Sequence, residues 1–222
     1  MDRRTLMMGA GAGFIGLGAF QLLRPQGGSA PLLPMGAANA QATGDAPDVI
    51  EMVKGSPDAP VEVIEYASFT CPHCKTFHEN VMPRLEADYI EPGHVRFIYR
   101  EVYFDRFALW AGMVARCAGP EQYFGMVDLI YADQGTWTQG SPAEIAENLR
   151  RIGRTAGLGT EQLDTCLTDA DMAQAMIETY ETNLEEHDIS GTPSFVIDGR
   201  MYSNMGYDDF REILDDRIDA AG

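Results

Sequence analysis

The stretch Val61-Glu62-Val63-Ile64-Glu65-Tyr66-Ala67-Ser68-Phe69-Thr70-Cys71-Pro72-His73-Cys74 decides the fold. Its first part alternates apolar and polar residues and is β-branched early on, so Val61 to Phe69 reads as a strand. That strand runs straight into Cys71. From Pro72 to Tyr89, the apolar residues Phe77, Val81, Leu85 and Tyr89 recur every four positions, marking one face of a helix with Pro72 suited to its first turn. Pro83 inside the pattern predicts a kink. His94 to Glu101 alternates again and reads as a second strand of the same sheet, giving a right-handed, parallel strand-helix-strand unit.

Upstream, Thr43 to Pro60 carries Gly44, Pro47, Gly55, Pro57 and Pro60, and reads as an entry segment with at most one short edge strand around Val49 to Val53. Downstream, from Asp105 to about Asp188, strand signals all but vanish and helical segments follow one another. Trp110, Met113, Val114 and Cys117 share a helical face. Ser141-Pro142-Ala143-Glu144 is a capping box followed by Ile145, Leu149 and Ile152 at helical spacing. Two more helices are expected, from about Glu161 to Leu167 and from Asp169 to Glu186. Strand character returns at Ser194 to Ile197, Asp198-Gly199 suits a hairpin turn, and Met201 to Tyr202 pairs back. In the closing segment, Tyr207 to Ala220, Phe210, Ile213, Leu214 and Arg217 lie on one helical side. The order is β, α, β, helical block, β, β, α.

A Cys-X-X-Cys at the first turn of a helix, directly after a strand, places one thiol at the exposed tip and the other one turn deeper, close enough to close a short disulfide. Unpaired N–H groups and the positive end of the helix dipole favour a thiolate at Cys71, which is both a nucleophile and a good leaving group. His73 can add positive charge or a hydrogen bond to that sulfur. A stabilised dithiol form makes the disulfide an oxidant. Two other uses of these residues are a structural disulfide, which across two intervening residues restrains little of the unfolded chain, and a zinc site drawn from Cys71, Cys74, His73 and His78, for which no second Cys-X-X-Cys exists. His78, His94 and His187 carry no motif and read as surface residues. Phe104, Trp110, Met126 and Trp137 suit either core packing or the rim of a groove.

The 222 residues carry a net charge of −18 and no Lys/Arg cluster, which excludes nucleic acid as a partner, since phosphates would be repelled. Arg3 and Arg4 precede an uncharged apolar run, Thr5 to Leu23, and Ala38-Asn39-Ala40 suits signal peptidase. Residues 1–42 therefore read as an export signal with linker, cleaved after about Ala40, or as an uncleaved membrane anchor; the twin arginines also hint at the twin-Arg route. Four cysteines in an exported chain allow two disulfides in three pairings. Adjacency pairs Cys71 with Cys74, leaving Cys117 with Cys166.

The segment Glu65 to Cys74, together with Gly191-Thr192-Pro193-Ser194-Phe195, closely resembles the DsbA family of thiol:disulfide oxidoreductases, and the Pro72-His73 dipeptide between the cysteines is the most specific part of the likeness. The resemblance covers Val61 to Ala220. It implies an α/β thioredoxin fold with an inserted all-helical domain: residues 43–104 and 189–222 as the thioredoxin-like part, 105–188 as the insertion. Cys71 is then the sulfur that enters mixed disulfides and Cys74 the one that resolves them. Pro193 is expected as a cis-proline whose neighbour, Thr192, offers backbone to a substrate peptide; otherwise Pro193 merely starts a strand. Glu65 matches the family's buried acid, half-buried beneath the active site and placed to exchange a proton with Cys74; a carboxylate at the sheet edge is the alternative. Thr192 departs from members with an apolar residue before the proline, and its hydroxyl can modify the Cys71 thiolate. Cys117 and Cys166 depart from the best-known members; a second disulfide pinning two helices, as in some relatives, stands against two buried free thiols.

The expected function is oxidation of newly exported proteins by the Cys71–Cys74 disulfide, in the periplasm, with no metal or organic cofactor. The expected partners are reduced, unfolded exported proteins and a DsbB-like membrane quinone reductase, and the expected state is a monomer. Disulfide isomerase or reductase activity, or peptide holding without redox turnover, are the alternatives. Isomerase relatives usually carry an N-terminal dimerisation domain, for which Thr43 to Pro60 is short.

Overall fold

A computed structural model describes residues 47–221; the expected export segment at residues 1–42 lies outside them. Five strands, β1 (Met52–Lys54), β2 (Val61–Ala67), β3 (Val95–Glu101), β4 (Ser194–Ile197) and β5 (Arg200–Ser203), form one sheet in the order β1-β3-β2-β4-β5. β2 and β3 run parallel, with Val61 opposite Val95 and Ala67 opposite Glu101, and the other pairs are antiparallel. Central β2 is covered on both faces, which is why it is apolar almost throughout. Alternation sends Val63 and Ala67 into the large core with Phe97, Tyr99 and Phe195. It sends Ile64 and Tyr66 to the opposite face, under Tyr180, Leu184 and Ile189. Glu65, in step with Val63 and Ala67, belongs to the large-core face.

The first edge strand begins at Met52, later than Val49. The Ile50 carbonyl accepts from Arg116 Nη1 at 2.9 Å, so this backbone is engaged by a side chain before the ladder starts. Likewise β2 stops at Ala67, short of Phe69. The Ser68 carbonyl accepts from the Cys71 N–H at 3.0 Å and from the Tyr131 hydroxyl at 3.2 Å, which turns the chain out of the sheet.

The helix expected over Pro72 to Tyr89 is three pieces: α1 (Pro72–Asn80), α2 (Met82–Leu85) and a π-helical turn at Glu86–Ile90. Pro83 has no N–H to continue the ladder of α1, so the chain breaks at Val81 and restarts with proline in the first turn of α2, where that N–H is not needed.

Between β3 and β4 lie α3 (Arg106–Cys117), α4 (Tyr123–Ala132), α5 (Gln134–Trp137), α6 (Pro142–Thr155), α7 (Thr160–Thr168) and α8 (Ala170–Glu186), and α9 (Tyr207–Ala221) closes the described chain. Asp105 caps α3, its Oδ1 accepting from the N–H groups of Phe107 (2.8 Å) and Ala108 (3.0 Å). Ser141 and Glu144 form the reciprocal capping box of α6. Neither α4 nor α5 was delimited by sequence periodicity, because α4 is apolar on most sides and α5 is a single turn. Val114, Tyr123, Met126, Trp137 and Leu149 share one buried cluster with Phe97 and Tyr99, and α4 meets the sheet directly where Tyr123 and Tyr131 touch Tyr99. At the end of β3, buried Glu101 is paired with Arg116 of α3, whose Nε lies 2.8 Å from Oε1, and with the Tyr123 hydroxyl, also at 2.8 Å. Full pairing makes that buried carboxylate tolerable.

Asp198 (φ 47°) and Gly199 (φ 76°) both take the left-handed conformation that a two-residue hairpin demands. Among the described residues, no helix is long and apolar enough to cross a membrane.

Cys117, at the end of α3, is disulfide-bonded to Cys166 of α7, with the Cα atoms 6.0 Å apart and a sequence separation of 49. Closing a loop of that length removes conformational freedom from the unfolded chain worth roughly 4 kcal/mol in the loop-entropy model. Cys117→Ala/Cys166→Ala should therefore lose about 2–4 kcal/mol in urea unfolding. A midpoint unchanged at constant slope would mean that the link contributes nothing.

Candidate active site

Cys71 is the N-cap of α1 and Pro72 its first residue, so the Cys71 sulfur stands where helical N–H groups have no partner within the helix. The loop that delivers it is clamped from three sides. Gln134 Nε2 of α5 donates to the carbonyls of Phe69 (2.8 Å) and Cys71 (3.0 Å). Thr70 donates its hydroxyl to Asp105 Oδ2 at 2.7 Å, engaging the same carboxylate that caps α3. Tyr131 of α4 donates to the Ser68 carbonyl.

Both cysteines of the pair are free thiols, Cys71 half-buried and Cys74 with 0% of its surface exposed. Their environments pull them in opposite directions. The Cys71 thiol is held down from 9.0 to about 5, chiefly because the Cys74 thiol donates a hydrogen bond to its sulfur. Partial burial opposes this, and the Thr192 side chain and the backbone N–H groups of Cys74 and His73 add to it. Cys74 is pushed far up by burial, by its bond to Cys71 and by the charge of Glu65. At neutral pH one sulfur is an anion and its neighbour is a thiol.

The Thr192–Pro193 peptide bond is cis, and the Cys71 Sγ lies 3.4 Å from the Thr192 carbonyl oxygen, within reach to donate to it as a thiol. The sequence places these residues 121 positions apart, and the turn into β4 brings them together. His73 enters differently from expectation. Its imidazole is exposed and makes no hydrogen bond to Cys71, and its backbone N–H is what supports the thiolate.

Glu65 sits on the central strand with 0% exposure, deeper than the half-buried position read from sequence and far from a sheet edge. Its partner is His78, whose Nε2 lies 2.9 Å from Glu65 Oε2. His78 is 7% exposed, so the reading of it as a surface residue is corrected. Its position four residues after Cys74 carries it one turn along α1 onto the same buried side. There it stacks on Tyr131 (centroids 4.5 Å) and meets Tyr99 edge-on (5.6 Å). His187 is corrected as well: it is half-buried, with Nδ1 2.6 Å from the Tyr66 hydroxyl on the opposite face of the sheet. His94 is exposed. Met126 and Trp137 are core residues, Phe104 is 58% exposed, and Trp110 packs partly buried against the core cluster that Cys71 also borders.

Among the described residues, no group of His, Cys, Asp and Glu is arranged to hold a metal ion. His78, Gln134, Tyr131 and Asp105 are the site-building residues that sequence reading did not select. The one available signal was the spacing of Cys74 and His78 on a helix above a strand bearing Glu65.

A family model described as Thioredoxin matches residues 48–216. A putative protein-disulfide oxidoreductase of Rickettsia bellii is 30% identical over 173 residues, covering 78% of this chain and 66% of the relative. Disulfide bond formation protein D of Bacillus subtilis is 24% identical over 176 residues, covering 75% of this chain and 76% of its own. This chain spans 60–66% of the length of the rickettsial relatives. Among solved structures, alpha-DsbA1 of Wolbachia pipientis superposes with a TM-score of 0.71 at 25% identity, over 79% of this chain and 94% of that one.

Iodoacetamide labelling of the reduced protein across pH 3–9 checks the geometry. Cys71 should be modified with a midpoint at about 5, and Cys74 should stay unmodified throughout. Thr192→Val removes a hydroxyl that supports the thiolate, so the midpoint should move up; an unmoved midpoint would assign the support to the helix terminus and Cys74 alone.

Proposed function

This chain belongs to the thioredoxin family and, within it, to the DsbA-like proteins, and from that premise we propose that it is an exported thiol:disulfide oxidoreductase that oxidises newly exported proteins. The single observation that carries the proposal is the placement of the two sulfurs, with Cys71 at the open N-terminus of α1 beside the cis Thr192–Pro193 bond and Cys74 fully buried one turn deeper, which favours a thiolate at the first and a thiol at the second.

In the proposed reaction a substrate thiolate attacks Cys71 Sγ of the disulfide form. A substrate–Cys71 bond forms, the Cys71–Cys74 bond breaks, and the electron pair passes to Cys74, which takes up a proton. A second substrate thiolate then attacks the substrate sulfur of the mixed disulfide, and Cys71 departs as a thiolate. Because that leaving group is already stable at neutral pH, release of oxidised substrate is favoured. Glu65 is the acid/base group for Cys74, and Thr192 and Pro193 form the backbone wall beside Cys71 against which a substrate peptide lies. A DsbB-like quinone reductase of the membrane restores the disulfide, and the working unit is a monomer in the periplasm. Arg3, Arg4 and the apolar run after them support export, as does the Cys117–Cys166 disulfide, which persists in oxidising compartments.

The decisive test is trapping: a Cys74→Ala variant activated at Cys71 and mixed with a reduced, unfolded protein should accumulate a mixed disulfide through Cys71, and Cys71→Ser should abolish it. Failure to form it removes the proposed chemistry. Equilibration against glutathione separates oxidant from reductant, since a pair that is mostly dithiol in a glutathione buffer poised for an ordinary disulfide is an oxidant. Its pH dependence is fixed in sign. Above pH about 5, reduction takes up two electrons and one proton, at Cys74. The potential should fall by about 30 mV per pH unit there, and by about 60 mV per unit below, where Cys71 also takes a proton.

A further inference from the structure

One buried group takes no part in holding the Cys71 thiolate: the imidazole of His78. Every turnover requires Cys74, which has no exposed surface, to gain a proton and later to lose it. Glu65 cannot supply protons repeatedly by itself, because it too is sealed from solvent. Its Oε2 is engaged by His78 Nε2 at 2.9 Å, while Glu65 Oε1 and His78 Nδ1 have no protein hydrogen-bond partner although both are buried. Leaving a buried polar atom without a partner is costly, and such atoms are uncommon in a folded core. On its other side His78 forms part of the wall of an open cleft behind α1, with Met82, Pro83, Glu86, Asp128 and Tyr131. The imidazole therefore meets the buried carboxylate and also lines an open surface depression whose walls include neither Cys71 nor Thr192.

We propose that His78 is the proton port of this site, passing the proton that Cys74 gains on reduction from the cleft to Glu65, and returning it on reoxidation. The proposal rests on the reading of Glu65 as the acid/base group for Cys74. When the Cys71–Cys74 bond breaks, the Glu65 carboxylate accepts the His78 Nε2–H proton and passes it to the electron pair on Cys74, ending ionised as it began, while the imidazole takes up a replacement proton at Nδ1 through the cleft wall that the ring helps to form. The substrate loses two electrons and releases two protons to solvent, and one proton is taken up at Cys74, so the route moves a single proton per disulfide exchanged. Because Cys71, Thr192 and Pro193 do not line that depression, the route does not depend on the surface that a bound polypeptide would cover. The groups facing the imidazole are Glu65 from β2, Tyr99 from β3, and Tyr131 and Asp128 from α4, with Glu86 at the cleft rim.

The test uses the full chain with His78→Gln, whose side-chain amide can keep the hydrogen bond to Glu65 but cannot relay a proton, beside Glu65→Gln. Stopped-flow reduction of the disulfide form by dithiothreitol is followed from pH 5 to 9 in H2O and D2O. The expected result for His78→Gln is a rate about tenfold lower near neutral pH, a solvent isotope effect larger than that of the unchanged protein, and labelling of Cys71 still half-complete at the same pH. Wild-type rate, isotope effect and pH profile in His78→Gln, with Glu65→Gln impaired, would overturn the port and leave Glu65 its role. Both variants behaving as wild type would overturn the role of Glu65 as well. Should His78→Gln not fold, imidazole 15N shifts of His78 in the unaltered chain decide. Different protonation or tautomer in the disulfide and dithiol states supports the port, and identical shifts refute it.

Discussion

Everything chemical in this molecule depends on two sulfurs, one helical turn apart, being unable to share the same ionisation. Cys71 sits at the mouth of α1, where N–H groups and the Cys74 thiol converge on it. Cys74 sits inside the core, where no charge is tolerated and Glu65 adds a repulsive one. The hydrogen bond between them works for both, lowering one and raising the other. Because the anion exists only in the dithiol state, its stabilisation weights the equilibrium toward reduction. It also gives that state a stability the disulfide state lacks: the folded Cys71 value lies below the unfolded one, so the contribution is complete above pH 9 and is lost as pH falls through about 5.

The helices between β3 and β4 hold this arrangement rather than decorate it. Gln134 of α5 grips two carbonyls of the active-site loop, Tyr131 of α4 a third, and Asp105 joins Thr70 to the head of α3. α3 is 12 residues long, about 18 Å at 1.5 Å per residue. Its far end is pinned twice, by the Glu101–Arg116 pair to β3 and by the Cys117–Cys166 link to α7. A helix fixed at one end by a disulfide and a buried ion pair presents a well-placed N-cap at the other. The position of the reactive sulfur is thereby tied to packing far from it.

Local pattern revealed the strands, the helix after Cys71, the capping box at Ser141 and the Asp198-Gly199 hairpin, because each is written in neighbouring residues. Boundaries shifted where side chains from distant elements compete for backbone groups, as Arg116 does at Ile50 and Tyr131 at Ser68. The site divides in the same way. Cys71, Cys74 and Pro72 stand together in one motif, and Glu65 follows from the strand that feeds it. Gln134 and Tyr131 act through contacts that no spacing rule describes, and His78, one turn after Cys74, reads as surface until the strand beneath it is known to carry an acid. His73 shows the reverse error, since its place in the motif suggested an imidazole contact where the backbone N–H alone does the work.

Among the described residues, the buried side-chain polar atoms without a partner belong to the pair Glu65 and His78, and stability alone does not account for them. A carboxylate with one oxygen unpartnered and an imidazole with one nitrogen unpartnered, both in an otherwise apolar and aromatic core, are less stable than two apolar side chains of the same volume would be. Glu101, also buried, shows what the fold does when a carboxylate is structural: Arg116 and Tyr123 occupy both of its oxygens. The same chain thus contains a saturated buried acid and an unsaturated one. The unsaturated one is close enough to Cys74 for its charge to raise that thiol, and this contrast is the ground on which the proposed roles of Glu65 and His78 rest.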